Sequence, residues 1–374
     1  MHRLTVVQLL PALQSGGVER STLEIAAALA RAGHRAVVVS AGGRLVPALL
    51  AAGAEHVALD IGRKSLLTLR HVATLRRLFA ELGADIVHAR SRLPAWIGWH
   101  ALRGMPAARR PRFVTTVHGL NSPGRYSAVM TYGERVICVS QTVHDYVLRH
   151  YPRTDPGTLR TIPRGIDIAQ FPRRPQPDPR ARAWVREQVP ALAADERLLL
   201  LPGRGTRLKG HADGLRLLAT LRAQGMPVRL WLPGAVEPGR EAYLRELQAE
   251  AGRLGVASAA TFSEPTARIA EAYAGSDLVL QLSRKPEAFG RTVLEALAVG
   301  RPVLGWAHGG VGELLEGLQP EGGVAPFDEA ALAARAAALL RQPPRPPPRP
   351  PQHIPYTLQA MQSATLKVYD ELRR

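Results

Sequence analysis

Short, almost wholly apolar runs alternate along the chain with longer stretches in which apolar residues return every three or four positions. RLTVVQLL (3–10) is the first run, and GVERSTLEIAAALARAG (17–33) is the first amphipathic stretch, closed by Gly33. HRAVVVS (34–40), ADIVHA (84–89), RFVTTVHG (112–119) and RVICVS (135–140) repeat the run. The habit continues in ERLLLLPGR (196–204), a helix over about 208–224, PVRLWLPG (227–234) and a helix near 239–254. SDLVLQLS (276–283), a helix ending near Val299 and RPVLGWA (301–307) complete it. Strand alternating with helix predicts parallel sheets in α/β layers. Runs such as LLLL, with no polar alternation, predict strands covered on both faces.

Two stretches break the pattern. The segment near 163–180, within PRGIDIAQFPRRPQPDPRAR, is rich in Pro and Arg and reads as a linker. QPPRPPPRPPQHIP (342–355) predicts extended polyproline. Beyond it, Leu358, Met361, Thr365, Val368 and Leu372 share one helical face, which predicts a docked terminal helix. A chain of 374 residues exceeds one ordinary core and suits two domains.

Composition narrows the classes. No apolar stretch is long enough for a transmembrane helix. Gln8 and Pro11 interrupt the first run, so a strand entering a glycine turn fits it better than a signal peptide. The single cysteine, Cys138, sits in an apolar strand and predicts a buried, inert thiol, as in a reducing cytosol. The net charge of +18 is uneven: residues 1–170 hold 22 Lys/Arg against 10 Asp/Glu, whereas 171–374 hold 27 against 21. A basic first half predicts an anionic partner. Only four lysines occur, so a general preference for Arg accounts for part of the pattern, though not for the excess of base over acid.

In open α/β sheets, ligands bind beyond the C-terminal strand ends. After the first run, Gly16 and Gly17 open a helix, where backbone N–H groups can approach a phosphate; a tight turn would carry the same residues. Glu19 suits the helix dipole. His118 ends the strand TTVHG, where an imidazole can donate to a sugar hydroxyl or a phosphate oxygen. In LLLLPGRGTRLKGH, Arg204 and Lys209 stand beside glycines at a strand end and could clamp a phosphate; a solvated turn is the alternative. In KPEAFGRTVLEALAVGRPV, Glu287 lies on a glycine loop and Glu295 eight positions on, in a helix. Eight helical residues span about 12 Å, roughly the reach from a sugar ring to the ribose of a nucleotide sugar. No D-x-D pair and no cysteine or histidine cluster with metal-ligand spacing occurs, so no metal and no cofactor is expected. Charge on a leaving diphosphate would fall to Arg204, Lys209 and backbone dipoles.

Taken in order, SGGVER, HARSRLPAW, TTVHG, VICVS, IPRGID, PGRGTRLKGH, EAFGRTVLEALAVGRPV and HGGVGELL span residues 8 to 316 and resemble the retaining glycosyltransferases of family 4. The first two pieces are most similar to bacterial members that build lipopolysaccharide or other envelope glycans. The resemblance implies the GT-B fold: two Rossmann-like parallel-sheet domains facing a cleft, with the last helix crossing back to the first. Residues 1–170 with 356–374 would receive the acceptor, and residues 171–345 the nucleotide sugar. It implies that Glu287 bonds the sugar hydroxyls and that Phe289 and Gly290 offer N–H groups to sugar and diphosphate. Glu295 would hold the ribose, Arg204 and Lys209 the diphosphate, Gly16 and Gly17 would close over it, and His118 would approach the reacting sugar. Configuration would be retained without a protein nucleophile, the leaving phosphate taking the acceptor proton. Arg164 stands where the family has Asn, which departs from its hinge pattern.

The expected protein is a cytoplasmic glycosyltransferase, peripheral at the inner face of the cytoplasmic membrane. It would use a UDP- or GDP-sugar and an anionic glycan-lipid acceptor. Candidate acceptor or membrane contacts are Arg90, Arg92, Trp96, Trp99, Arg103, Arg109, Arg110 and Arg112, with a helix carrying Lys64, Arg70, Arg76 and Arg77. A GT-B epimerase or hydrolase would use the same donor residues without an acceptor. A basic, non-enzymatic scaffold would not need Glu287, Glu295, Arg204 and Lys209. A dehydrogenase would need the missing dinucleotide fingerprint, and no nucleic-acid motif is present.

Overall fold

The structure, a computed structural model, describes residues 3–14, 16–174, 176, 178–341 and 355–373. The chain divides into two units: residues 1–165 with 358–374, and residues 166–357. The proline tract expected at 342–355 lies, but for its last residue, outside the described residues.

The first unit is built on seven strands: β1 (Thr5–Leu9), β2 (Arg35–Ser40), β3 (Glu55–Ala58), β4 (Ile86–Ala89), β5 (Arg112–Val117), β6 (Arg135–Cys138) and β7 (Leu159–Thr161). They form one sheet in the order β3-β2-β1-β4-β5-β6-β7, parallel at every pairing. The second unit repeats the design with β8 (Arg197–Leu200), β9 (Val228–Pro233), β10 (Ala260–Ser263), β11 (Leu278–Gln281), β12 (Val303–Trp306) and β13 (Gly323–Val324). Their order is β10-β9-β8-β11-β12-β13, again parallel. Each is a Rossmann-like, doubly wound sheet.

Each apolar run seen in the sequence forms a strand. The four strands with no such run, β3, β7, β10 and β13, are the four sheet edges. An edge strand is wetted along one side, so residues such as Glu55 and Ala58 stay exposed and the apolar signature fades. The central strands are buried along their length, as β9 and β11 illustrate, because helices cover both faces.

The helix Gly17–Arg31 buries Ser21, Thr22, Ile25, Ala26, Ala28 and Leu29, one stripe of a 3.6-residue period. Against the same core lies the terminal helix Leu358–Asp370, through Met361, Val368 and Tyr369. Gln362 ties it down by donating to the Glu24 carbonyl at 2.8 Å and accepting from Arg31 at 3.0 Å. Cys138 is fully buried, and burial pushes its thiol up to about 12, so it stays a thiol. Lys64 precedes the helix on which it was expected: residues 66–70 form a 3-10 turn and the helix runs His71–Glu81.

In both sheets the winding direction reverses at the first strand. β1 lies between β2 and β4, and β8 between β9 and β11. Such switch points leave a crevice beyond the strand C-termini, because the two connections depart to opposite sides. The loops there are residues 10–14 with 16, and 90–91, in the first unit, and 201–210 and 282–290 in the second.

Candidate active site

In the second unit the two switch-point loops are laced together. The loop after β8 turns through a 3-10 turn, Arg207–Lys209, into Gly210 at φ +71°. A Cβ at Gly210 would sit 2.0 Å from the Leu282 carbonyl oxygen, so only glycine permits this approach. Arg284 N–H then donates to the Leu208 carbonyl at 2.8 Å. The result carries Lys209 across to the loop after β11, where its Nζ donates to Glu287 Oε1 at 2.6 Å. Ser283 Oγ also donates to Oε1, at 2.5 Å, and Gln281 Nε2 to Oε2, at 3.2 Å. Burial would raise the Glu287 carboxyl, but the Lys209 charge and these donors outweigh it and hold it below the usual range.

The Glu287 loop rests on the start of the helix Gly309–Leu318. Gly310 N–H donates to the Glu287 carbonyl at 2.8 Å. Cβ atoms at Gly309 or Gly310 would stand within 2.6 Å of this loop's backbone. His308, just before them, donates from Nε2 to the Ser283 carbonyl at 2.8 Å. Phe289 packs edge-on against Tyr356, where the chain leaves the second unit, at 5.8 Å between ring centroids. Gly290, at φ +100°, opens the helix Arg291–Val299 with no side-chain cap, leaving first-turn N–H groups suited to an anion.

Glu295 is buried inside that helix. It accepts from Tyr273 OH at 3.0 Å and pairs with Arg291 at 3.5 Å. Glu287 and Glu295 therefore have separate partners and no shared proton. Arg204 stays exposed on the loop after β8 and makes no hydrogen bond or ion pair through its side chain among the described residues.

In the first unit, Gly16 has φ +139° and leads into the Gly17–Arg31 helix without a side-chain cap. Arg90, beyond the end of β4, is not the surface contact expected of it. It is only 4% exposed, donating to Gln8 Oε1 at 2.9 Å and to the Ser21 carbonyl at 3.2 Å, and burial pulls it down to about 10. His118 follows β5. Its Nδ1 lies 2.9 Å from a terminal nitrogen of Arg164, which also donates to the Gly17 carbonyl at 3.2 Å. Among the described residues its Nε2 is buried without a hydrogen-bond partner. Burial, then the charges of Arg164 and Arg90 and the nearby His88, hold the ring well below 6.5, so it is neutral.

The other basic candidates separate. Arg92 and Trp96 belong to a surface cluster on the helix Arg92–Arg103. Trp96 and Trp99 meet edge to face at 5.7 Å, both contact Tyr132, Trp96 Nε1 donates to the Tyr126 carbonyl, and Arg92 and Arg103 lie over the rings of Tyr126 and Trp99. Arg109 and Arg110 instead precede β5, at the opposite end of that strand from His118. The sequence showed density of charge along the chain, which is not proximity in space. It also gave no role to Gln281, Ser283 and Tyr273, whose contacts are set by tertiary packing; the glycine pair 309–310 after a strand was the one available signal.

Two family models match the chain: Glycosyltransferase Family 4 over residues 15–170 and Glycosyl transferases group 1 over residues 184–349. The chain belongs to the GT-B glycosyltransferases of the family 4 type. Among solved structures, a glycosyltransferase from Rickettsia africae superposes with a TM-score of 0.86 at 25% identity, covering 100% of this chain and 99% of that one. Anabaena HepE in complex with UDP and glucose superposes with a TM-score of 0.75 at 21% identity, covering 99% and 96%. Among curated relatives, the D-inositol 3-phosphate glycosyltransferase of Segniliparus rotundus is 31% identical over 180 residues, 48% of this chain and 38% of its own length. The chain thus spans little more than a third of that relative. No helix among the described residues is long and apolar enough to cross a membrane.

Proposed function

We propose that the chain transfers a sugar from a UDP- or GDP-activated donor to an anionic glycan or glycolipid acceptor, with retention of configuration and without a metal. The observation that carries this reading is the 2.6 Å Lys209–Glu287 pair, set at the switch point of the second sheet beside the uncapped helix that starts at Arg291. In this assignment Glu287, held ionised, accepts from sugar hydroxyls, with Phe289 and Gly290 supplying N–H groups. Lys209, exposed Arg204 and the helix N-terminus neutralise the diphosphate as the bond from sugar carbon to phosphate oxygen breaks. The acceptor oxygen bonds to the same face of that carbon, and its proton passes to the leaving phosphate oxygen. Glu295, buried and oriented by Tyr273, holds the ribose. The UDP and glucose bound by HepE support a nucleotide-sugar donor.

The acceptor assigned to the first unit is an envelope glycan-lipid of the lipopolysaccharide kind, reached at the inner face of the cytoplasmic membrane. Residues 86–133 carry seven arginines and no acid, and the Trp96, Trp99, Tyr126 and Tyr132 cluster lies among them. Aromatic and cationic side chains together suit the headgroup region of an anionic bilayer. A second anionic acceptor, D-inositol 3-phosphate, is favoured by the similarity to the Segniliparus D-inositol 3-phosphate glycosyltransferase.

A panel of nucleotide sugars scored by thermal shift tests the donor. Ligand at a hundredfold excess over its Kd adds about 2.7 kcal/mol of stability, a clear rise in Tm. Transfer to lipid-linked glycan or to inositol phosphate then separates the acceptors, and donor consumption without either points to an epimerase or hydrolase. Absence of any shift with UDP, GDP and their sugars would overturn the proposal.

A further inference from the structure

We infer that Arg164 is a positioning residue that fixes His118 with its proton on Nε2, making the ring a hydrogen-bond donor to a substrate oxygen and not a base. The role at substrate rests on the function proposed above; the tautomer does not. A guanidinium is always protonated and has donors only. Placed 2.9 Å from Nδ1, it requires that nitrogen to present its lone pair. A neutral imidazole carries one N–H, so the proton belongs on Nε2. Among the described residues that nitrogen is buried without a hydrogen-bond partner, a donor left for an incoming acceptor atom.

Arg164 is itself held rigidly. It is 7% exposed, lies at the end of the segment following β7, and bridges to the Gly17 carbonyl at the start of the first helix. One side chain thereby ties together the glycine turn, the histidine and the point where the chain leaves the first unit. The groups acting on the ring are Arg164 from this segment, and Arg90 and His88 from the end of β4; all oppose a second proton. With Nδ1 engaged and Nε2 already protonated, His118 has no vacant nitrogen to take a proton from an acceptor hydroxyl. This agrees with the proposed transfer, in which the acceptor proton goes to the leaving phosphate.

The test uses the full chain labelled with 15N-histidine, with His118 assigned by its loss in His118→Gln. In wild type, two-bond 1H–15N correlations should show the Nε2–H pattern for His118, unchanged from about pH 8 to about pH 5.5. In Arg164→Gln, whose amide can donate or accept, the pattern should become mixed and titrate closer to 6.5. Arg164→Lys, which keeps a cationic donor, should retain the Nε2–H pattern and serves as the comparison if Arg164→Gln does not fold. In the transfer assay, kcat/KM of Arg164→Gln should gain an acid limb, with about tenfold loss one pH unit below the new pKa, where wild type and Arg164→Lys stay flat. An Nδ1–H pattern in wild type, or a pattern indifferent to Arg164→Gln, would overturn the inference. Because the spectra need no substrate, an inactive wild type would sink the proposed function and leave the tautomer decided.

Discussion

Lys209 Nζ and Glu287 Oε1 stand 2.6 Å apart although 78 positions separate them in the chain. The pair exists because Gly210 lets the loop after β8 lie on the end of β11, where a Cβ would collide with the Leu282 carbonyl. Neither residue is useful alone: Lys209 keeps Glu287 ionised, and Glu287 fixes where the ammonium sits.

Removing either partner should therefore have much the same effect. Lys209→Ala and Glu287→Ala should each lower kcat/KM by about 10²–10³, the loss typical of one preorganised electrostatic contact. The double variant should lose little more than either single one, since groups acting as a unit are not additive. Circular dichroism should stay native in all three. Near-wild-type turnover in either single variant, or full additivity, would remove the pair from the site.

The glycines in the same region should sort by their surroundings. Gly310→Ala places a Cβ 2.5 Å from Phe289 Cα and 2.7 Å from the Ala288 carbonyl, and backbone cannot swing aside. It should destabilise the second unit by about 1–3 kcal/mol, a common range for a disruptive substitution, and weaken donor binding. Gly17→Ala meets nothing within 4 Å and lies in helical conformation, so its Tm should match wild type. Denaturant titration of the two variants compares them directly; equal stability would count against the packing described for the Glu287 loop.

Much of the architecture was legible because central parallel strands must be apolar on both faces. What escaped was the set of edge strands, where Glu55 or Ser263 can face water and the signature is lost. The glutamate motif announced a site, but not its wiring. Glu287 is held by Lys209, Ser283 and Gln281, and Glu295 by Tyr273 of the helix Ile269–Ala274, and these contacts depend on how elements distant in sequence or loop geometry bring them together. Arg90 shows the opposite hazard. It sits in a basic stretch that reads as surface, yet the strand end turns it inward onto Gln8 and the Ser21 carbonyl.

The aromatic cluster gives a surface prediction. Trp96→Ala with Trp99→Ala should reduce flotation with vesicles containing anionic lipid, and Arg92→Gln with Arg103→Gln should reduce the part that salt screens. Arg109→Gln with Arg110→Gln, at the start of β5, should change flotation less. Binding that ignores lipid charge and salt in every variant would refute an electrostatic contact here.

Acid should weaken the fold before carboxylates protonate. Burial holds His88 well below 6.5, and burial followed by the Lys209 charge brings His211 down to about 4. Both titrate near 6.5 once unfolded, so between that value and their folded pKa the unfolded chain binds more protons and stability is lost as pH falls. Each can contribute up to about 1.4 kcal/mol per pH unit. Tm should thus decline from about pH 6.5 downward, and His88→Gln should flatten that decline by about one proton. Glu287, held below its usual 4.5, adds its own loss only at lower pH. A Tm independent of pH across this window would contradict the buried neutral rings.

The helix Leu358–Asp370 has a consequence for the order of events during synthesis. Tyr369 bonds His88 Nδ1 at 2.7 Å, and His88 Nε2 bonds Thr116, so the polar centre of the first unit is closed by a residue made after the entire second unit. A ribosome that has finished residues 1–165 has released a sheet whose core still lacks Met361, Val368 and Tyr369. The second unit, continuous in sequence, can mature while the first waits with apolar surface uncovered. The time needed to translate about 190 residues, roughly 10–40 s at 5–20 residues per second, is then a window in which the first unit depends on chaperones or on its own partial stability.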